Sequence, residues 1–185
     1  YGKFGSTEPS LYRSTTPWLS SFSSSGYAAV WAAENTREAI FSAMKRREVY
    51  ATTGPRITLR FFAGWNFKES HAYQPDIAKT GYRFGIPMGG DLTRAKITSD
   101  KAPTFLVRAT KDPDGAALDR IQIVKGWIDN DGQPKEKVHN IAWSDDRVIN
   151  SDGALPSVGS TINLAEATYQ NSIGSPELSA FWSDE

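Results

Sequence analysis

The densest polar stretch of the chain begins at Glu34-Asn35-Thr36-Arg37. It continues through Arg46-Arg47-Glu48-Val49-Tyr50 to Ala51-Thr52-Thr53-Gly54-Pro55-Arg56. Two guanidiniums (Arg37 and Arg56), two hydroxyls (Thr52 and Thr53) and the Gly54 backbone are the kinds of group that hold an oxyanion such as a phosphate. The same residues also have plain structural uses. Asn35 with Glu38 three residues later makes a helix-capping box, threonine suits a strand, and Gly-Pro ends one. Arg37, Thr52, Thr53 and Arg56 are therefore candidates for the wall of an anion pocket.

No catalytic group or metal ligand is assigned within this chain. His71 and His139 lie far apart in sequence and belong to no HExxH or similar spacing that would bring two ligands onto one face. There is no G-x-S-x-G elbow, and the glycine patterns lack the strand, lysine and spacing that a phosphate-cradling loop requires. Three acidic turns, Asp112-Pro113-Asp114-Gly115, Asp129-Asn130-Asp131-Gly132 and Asn150-Ser151-Asp152-Gly153, offer oxygen ligands of the kind calcium accepts. None spans a twelve-residue calcium loop with its closing glutamate, and Asn, Asp and Gly are the residues that tight turns need anyway. Cysteine is absent, which excludes disulfides and thiolate chemistry.

The whole chain bounds what these residues can serve. Its 185 residues carry 21 Lys+Arg against 21 Asp+Glu, a net charge of zero that argues against a bulk nucleic-acid binder. With 39% hydrophobic residues and six Trp there is apolar surface for a real core. No run approaches the roughly 18 to 20 apolar residues that cross a bilayer, so no membrane span is expected.

Residues 1 to 27, rich in Gly, Pro and Ser, read as loop. A helix is expected over 36 to 48, capped by Asn35, with Ala39, Ile40, Ala43 and Met44 on one face and Lys45, Arg46 and Arg47 at its C-terminal end. A strand is expected over 49 to 53. From Arg56 the pattern is β: 56 to 61 alternates, as does 104 to 110, where Leu106 suggests that the second face is partly covered too. Residues 119 to 128 and 135 to 143 flank the Asp129–Gly132 turn as a hairpin. Ile57, Leu59, Phe61, Phe105, Val107, Ile121, Ile123 and Trp143 are the expected core. Residues 64 to 103 show poor periodicity and are too many for one structureless loop, so short strands are expected there, with a tight turn at Pro87-Met88-Gly89-Gly90-Asp91.

Several of these segments carry a resemblance. Ala29-Val30-Trp31-Ala32-Ala33-Glu34-Asn35-Thr36-Arg37-Glu38-Ala39-Ile40, the continuation from Arg46 to Ile57, Arg60-Phe61-Phe62-Ala63-Gly64-Trp65, Pro87-Met88-Gly89-Gly90-Asp91, Leu118-Asp119-Arg120-Ile121-Gln122-Ile123-Val124-Lys125-Gly126 and Ala142-Trp143-Ser144-Asp145-Asp146-Arg147 resemble a large bacterial family, domain of unknown function 3604. Its members look like relatives of the polymerase-and-histidinol-phosphatase (PHP) metallohydrolases, which bind two or three divalent metals at the open end of a β/α barrel and mostly cleave phosphate esters.

The resemblance implies that the family's metal motifs lie upstream of Tyr1 and that both ends of the chain are cut. Residues 1 to 55 would be a remnant closing a missing barrel, and 56 to 185 a truncated antiparallel β-domain. The fold class expected is α+β, mainly β and sandwich-like. The function implied is that of a C-terminal fragment of a metal-dependent phosphoesterase, inactive alone. The intact parent would use Mn, Zn or Fe, the partners would be the upstream barrel and a phosphate-ester small molecule, and a periplasmic or secreted location is favoured. The alternative from another class is a stand-alone β-sandwich module that binds carbohydrate or another ligand. A barrel remnant would leave the 28–33 stretch and one helix face uncovered, whereas a self-sufficient module would bury them.

Overall fold

The computed structural model describes residues 26–93 and 101–184. The loop reading for residues 1 to 25 lies outside the described residues. The centre of the molecule is a four-stranded antiparallel sheet in the order β4-β3-β5-β8, formed by β3 (Thr58–Gly64), β4 (Gly85–Pro87), β5 (Thr104–Thr110) and β8 (Glu177–Ser183). Its register aligns Phe62, Leu106 and Phe181 on one face and Phe61, Val107 and Ala180 on the other. Both faces are covered, which is why Leu106 breaks the simple alternation of β5.

The first face packs under α2 (Glu69–Ala72) and α3 (Ile77–Phe84), where Phe62, Phe67, Ala72, Ile77 and Leu106 form one core. The second face packs under the hairpin of β6 (Arg120–Ile128) and β7 (Pro134–Trp143), where Val107, Ala109, Leu118, Ile121 and Leu178 form another. The hairpin turns at Asp129–Gly132 as its composition predicts: the Asp129 carboxylate accepts from the Asp131 and Gln133 backbone N–H groups, and Gly132 has φ +75°. Ile57, Leu59, Phe61 and Ile123 are half-buried against this second core. The most enclosed large side chains are Phe62 and Leu106 on the helix side.

The poorly periodic region resolves differently from the expectation of short strands. It holds one strand, β4, and two short helices, α2 and α3, among its described residues. The cross-strand pair Gly64 and Gly85 leaves a gap that the buried Phe67 ring fills. Gly81 lets α3 lie directly on the Phe62 ring, since a Cβ there would enter the ring itself. The predicted turn at 87 to 90 is present, with Gly89 at φ +80° and the Gly90 N–H donating to the Pro87 carbonyl.

Ahead of the sheet stands a small unit: β1 (Ala28–Val30), α1 (Arg37–Lys45) and β2 (Val49–Ala51), with β1 and β2 paired antiparallel. The expected Asn35 cap is replaced by Thr36, one residue later, whose hydroxyl accepts from the Ala39 N–H at 3.3 Å. That frame puts Ala39 at the third helical position, so Glu38 cannot close the box. The helix ends at Lys45, short of the expected 48. Arg47 takes a left-handed backbone (φ 62°), and the Arg47 and Glu48 N–H groups donate to the Met44 and Ala43 carbonyls. This is a Schellman closure built on arginine instead of glycine, and it turns the chain so that Glu48 points inward. Successive strands of a β/α barrel run parallel, so the antiparallel β1–β2 pair admits at most one barrel strand in this unit, and no barrel is closed by the described residues.

Candidate functional site

Where the small unit meets the sheet, a hollow of about 540 Å³ is lined by Trp31, Ala32, Ala33, Arg46, Glu48, Arg60, Tyr82 and Pro87. Each charged side chain arrives by a definite route. The Schellman turn delivers Glu48, which is only 3% exposed. Arg46 caps α1 and reaches Glu48 Oε2 with Nη2 at 3.3 Å. Arg60 lies on the helix-side face of β3, in register with Arg108, and Tyr82 projects from α3.

The Tyr82 hydroxyl donates to Glu48 Oε1 and accepts from Arg60 Nη1 at 3.4 Å. Partial burial, and next the bond to Glu48, push this hydroxyl above its ordinary pKa, with Arg60 pulling the other way. The Arg60 guanidinium carbon sits 3.2 Å from the centroid of the Trp31 ring. Trp31 is fixed in turn by its indole N–H, which donates to the Leu59 carbonyl at 2.9 Å. The chemistry of such a wall is cationic and hydrogen-bond donating, with its one carboxylate already engaged on both oxygens.

Of the four residues expected to form an anion pocket, three divide between two other hollows. Thr52 and Arg56 line one hollow of about 290 Å³ with Tyr27 and Tyr50. There the Thr52 Oγ1 accepts from the Tyr27 N–H, while the Arg56 guanidinium lies 3.8 Å from Asp112 and 3.7 Å from Asp114. Arg37 opens α1 and lines a separate hollow with Ile40, Phe41 and Met44. Thr53 is exposed and lines neither. The structure thus brings Thr52 and Arg56 together but not Arg37. Sequence reasoning passed over Trp31, Arg46, Glu48, Arg60 and Tyr82 as a set because they come from separate segments. Local alternation hid Arg60 by placing it with Arg56 and Thr58 on a polar face of the strand.

Several polar motifs have structural work. Arg147 donates to the carbonyls of Asp119, Ser144 and Pro156, and Arg120 to those of Leu155 and Pro156, so together they clamp the 144–156 excursion onto the hairpin base. Arg147 Nη1 also lies 2.6 Å from Asp119 Oδ1, without the alignment of a hydrogen bond. Arg108 donates to the carbonyls of Ala72, Gln74 and Pro75 and to Ser179, tying α2 to the sheet. His71 Nδ1 accepts from the Lys68 N–H and its ring stacks on Phe84, while His139 lies against Trp182 with centroids 4.8 Å apart. No three His, Asp or Glu side chains converge as a metal set among the described residues.

Fold and site together define an α+β, mainly β protein: a central antiparallel sheet covered by helices on one face and a hairpin on the other, with an appended β-α-β unit and a cationic hollow at the join. The family described as "Protein of unknown function (DUF3604)" matches residues 4–185, and the chain belongs to it. No curated protein and no solved structure matches the chain.

Proposed function

We propose that this chain is the C-terminal portion of a metal-dependent phosphoester hydrolase whose metal centre sits on a preceding barrel domain that packs against the β1-α1-β2 unit. The observation that carries the reading is the uncovered apolar surface of that unit. Of α1 only Ala43 is buried, while Phe41 is 66% and Met44 52% exposed, and both line a shallow hollow with Ile40. Tyr27 and Val49, on and next to the strands of the same unit, are also exposed. Scattered single exposed apolar residues are ordinary. A phenylalanine and a methionine together on a nine-residue helix, next to strands of three residues each, are the face that a helix normally turns to a core. A self-sufficient module would bury them.

The chemistry assigned to the parent comes from the resemblance of the family to the PHP metallohydrolases. There the divalent metals activate water and neutralise charge developing on a phosphoryl oxygen. No metal ligand is assigned to this chain. The carbohydrate-module reading gains nothing specific: of the exposed aromatics, Tyr82 and Phe84 lie on α3, Trp127 on β6, and Tyr73 and Tyr169 outside helices and strands, so these five form no aromatic row on one sheet face.

The test compares the 185-residue chain with the parent reading frame by Mn and Zn calorimetry and by bis-p-nitrophenyl phosphate turnover. The parent is expected to bind metal and turn over, and the chain alone to do neither. A parent without metal binding, or tight stoichiometric binding by the chain alone, would overturn the proposal.

A further inference from the structure

We propose that the hollow between Arg46 and Arg60 is a binding site for the oxyanion end of a small molecule, a phosphate or sulfate group, with Trp31 and Tyr82 as its fixed walls. Two guanidiniums against the single Glu48 carboxylate leave one positive charge in excess. Glu48 is satisfied, with Arg46 on one oxygen and Tyr82 on the other. It therefore has no further call on either arginine.

The donors that remain are what a tetrahedral oxyanion uses. Among the described residues Arg60 spends only Nη1, in a long bond, and Arg46 only Nη2. Trp31 covers the flat face of the Arg60 guanidinium, whereas the N–H donors lie in its plane and stay available at the edge. Arg56, Arg108, Arg120 and Arg147 differ in this respect, since each is engaged by carboxylates or by several backbone carbonyls.

The site is also held in place before any ligand arrives. Stacking on Trp31 and the bond to Tyr82 restrict Arg60, and the indole bond to Leu59 restricts Trp31. Tyr82 stays a neutral hydroxyl and adds no repelling charge. Ala32, Ala33 and Pro87 supply an apolar rim for the organic remainder, and about 540 Å³ falls within the size of small-molecule clefts. Anion binding here requires no metal, so failure of the hydrolase test and failure of this one are separate results.

The experiment titrates the ¹⁵N-labelled 185-residue chain at constant ionic strength with inorganic phosphate, sulfate, p-nitrophenyl phosphate or acetate. The signals followed are the arginine Nε–H groups and the Trp31 indole N–H. Phosphate is expected to shift Arg46, Arg60 and Trp31 saturably in the millimolar range, the monoester to bind more tightly, and acetate more weakly. Arg60→Gln and Arg46→Gln should each weaken phosphate at least tenfold, and Arg56→Gln should leave it unchanged. If Arg60→Gln does not fold, as judged by sheet resonances, the exposed Arg46 carries the test through Arg46→Gln. Shifts that do not saturate, that match those with acetate, or that are lost equally in Arg56→Gln would overturn the site.

Discussion

Asp112 shows how one carboxylate organises backbone that its neighbours in sequence cannot reach. It is buried, and its oxygens accept from the Arg56 N–H at 2.6 Å and the Asp114 N–H at 3.1 Å, so it pins the start of β3 to the turn after β5. These backbone bonds, Arg56 first, hold its pKa below the ordinary aspartate value. Asp145 is lowered in the same way, by the Ser144 side chain and then by the Gly174 N–H. The sign follows directly. A folded pKa below the unfolded one gives stability that is fully present above the unfolded pKa, near pH 4, and is lost as the pH falls through the folded value. Urea midpoints measured from pH 7 downward should therefore hold steady to about pH 4 and then fall. Asp112→Asn should lower the midpoint at pH 7 and flatten the acid limb, and an unchanged acid limb would remove Asp112 from this role.

Among the elements, α3 depends most sharply on one residue. Replacing Gly81 by alanine adds helix propensity worth about 1 kcal/mol. Against that gain, the new methyl would overlap the Phe62 ring, which is 1% exposed and cannot retreat. Overpacking of this kind costs about 1–3 kcal/mol. Gly81→Ala should thus lower the urea midpoint despite its better propensity, and a raised midpoint would show that α3 can lift off the sheet.

The same contact explains what the sequence could reveal about the elements. β5, β6 and β7 were legible because alternation of period two and an Asp-Asn-Asp-Gly turn are local signals. α2 and α3 were not, because one has four residues, the other eight with a mid-helix glycine, and both owe their form to Phe62 and Leu106 beneath them. β8 is absent from the strands expected from the sequence. Its identity as a strand depends on pairing with β5 some 70 residues earlier. The hollow was equally non-local: the polar stretch supplied Arg46 and Glu48, but Arg60 and Tyr82 join them only through the sheet and α3.

At the scale of the whole molecule, the β1-α1-β2 unit touches the sheet domain through few groups. Among the described residues these include the Trp31 indole on the Leu59 carbonyl, Arg60 on Trp31, Tyr82 on Glu48, Arg47 on Asp91 at 3.1 Å, and the Arg47 backbone packed on Gly89. The Arg47–Asp91 pair is exposed on both sides and contributes little. Glu48 is therefore the principal polar tie, and a boundary near residue 55 implies that cutting it should loosen the unit and spare the sheet. Glu48→Ala removes the acceptor of both Tyr82 and Arg46. Arg46 and Tyr82 have access to water, so the cost falls near the lower end of about 1–3 kcal/mol. Hydrogen exchange resolves where that cost lands. Trp31, whose amide donates to the Glu48 carbonyl, and Tyr50, opposite Ala29, should lose protection, while Leu106 and Val107 in the central strand keep theirs. Equal loss at all four positions would mean that the unit and the sheet unfold as one cooperative body, and the boundary would have to be abandoned.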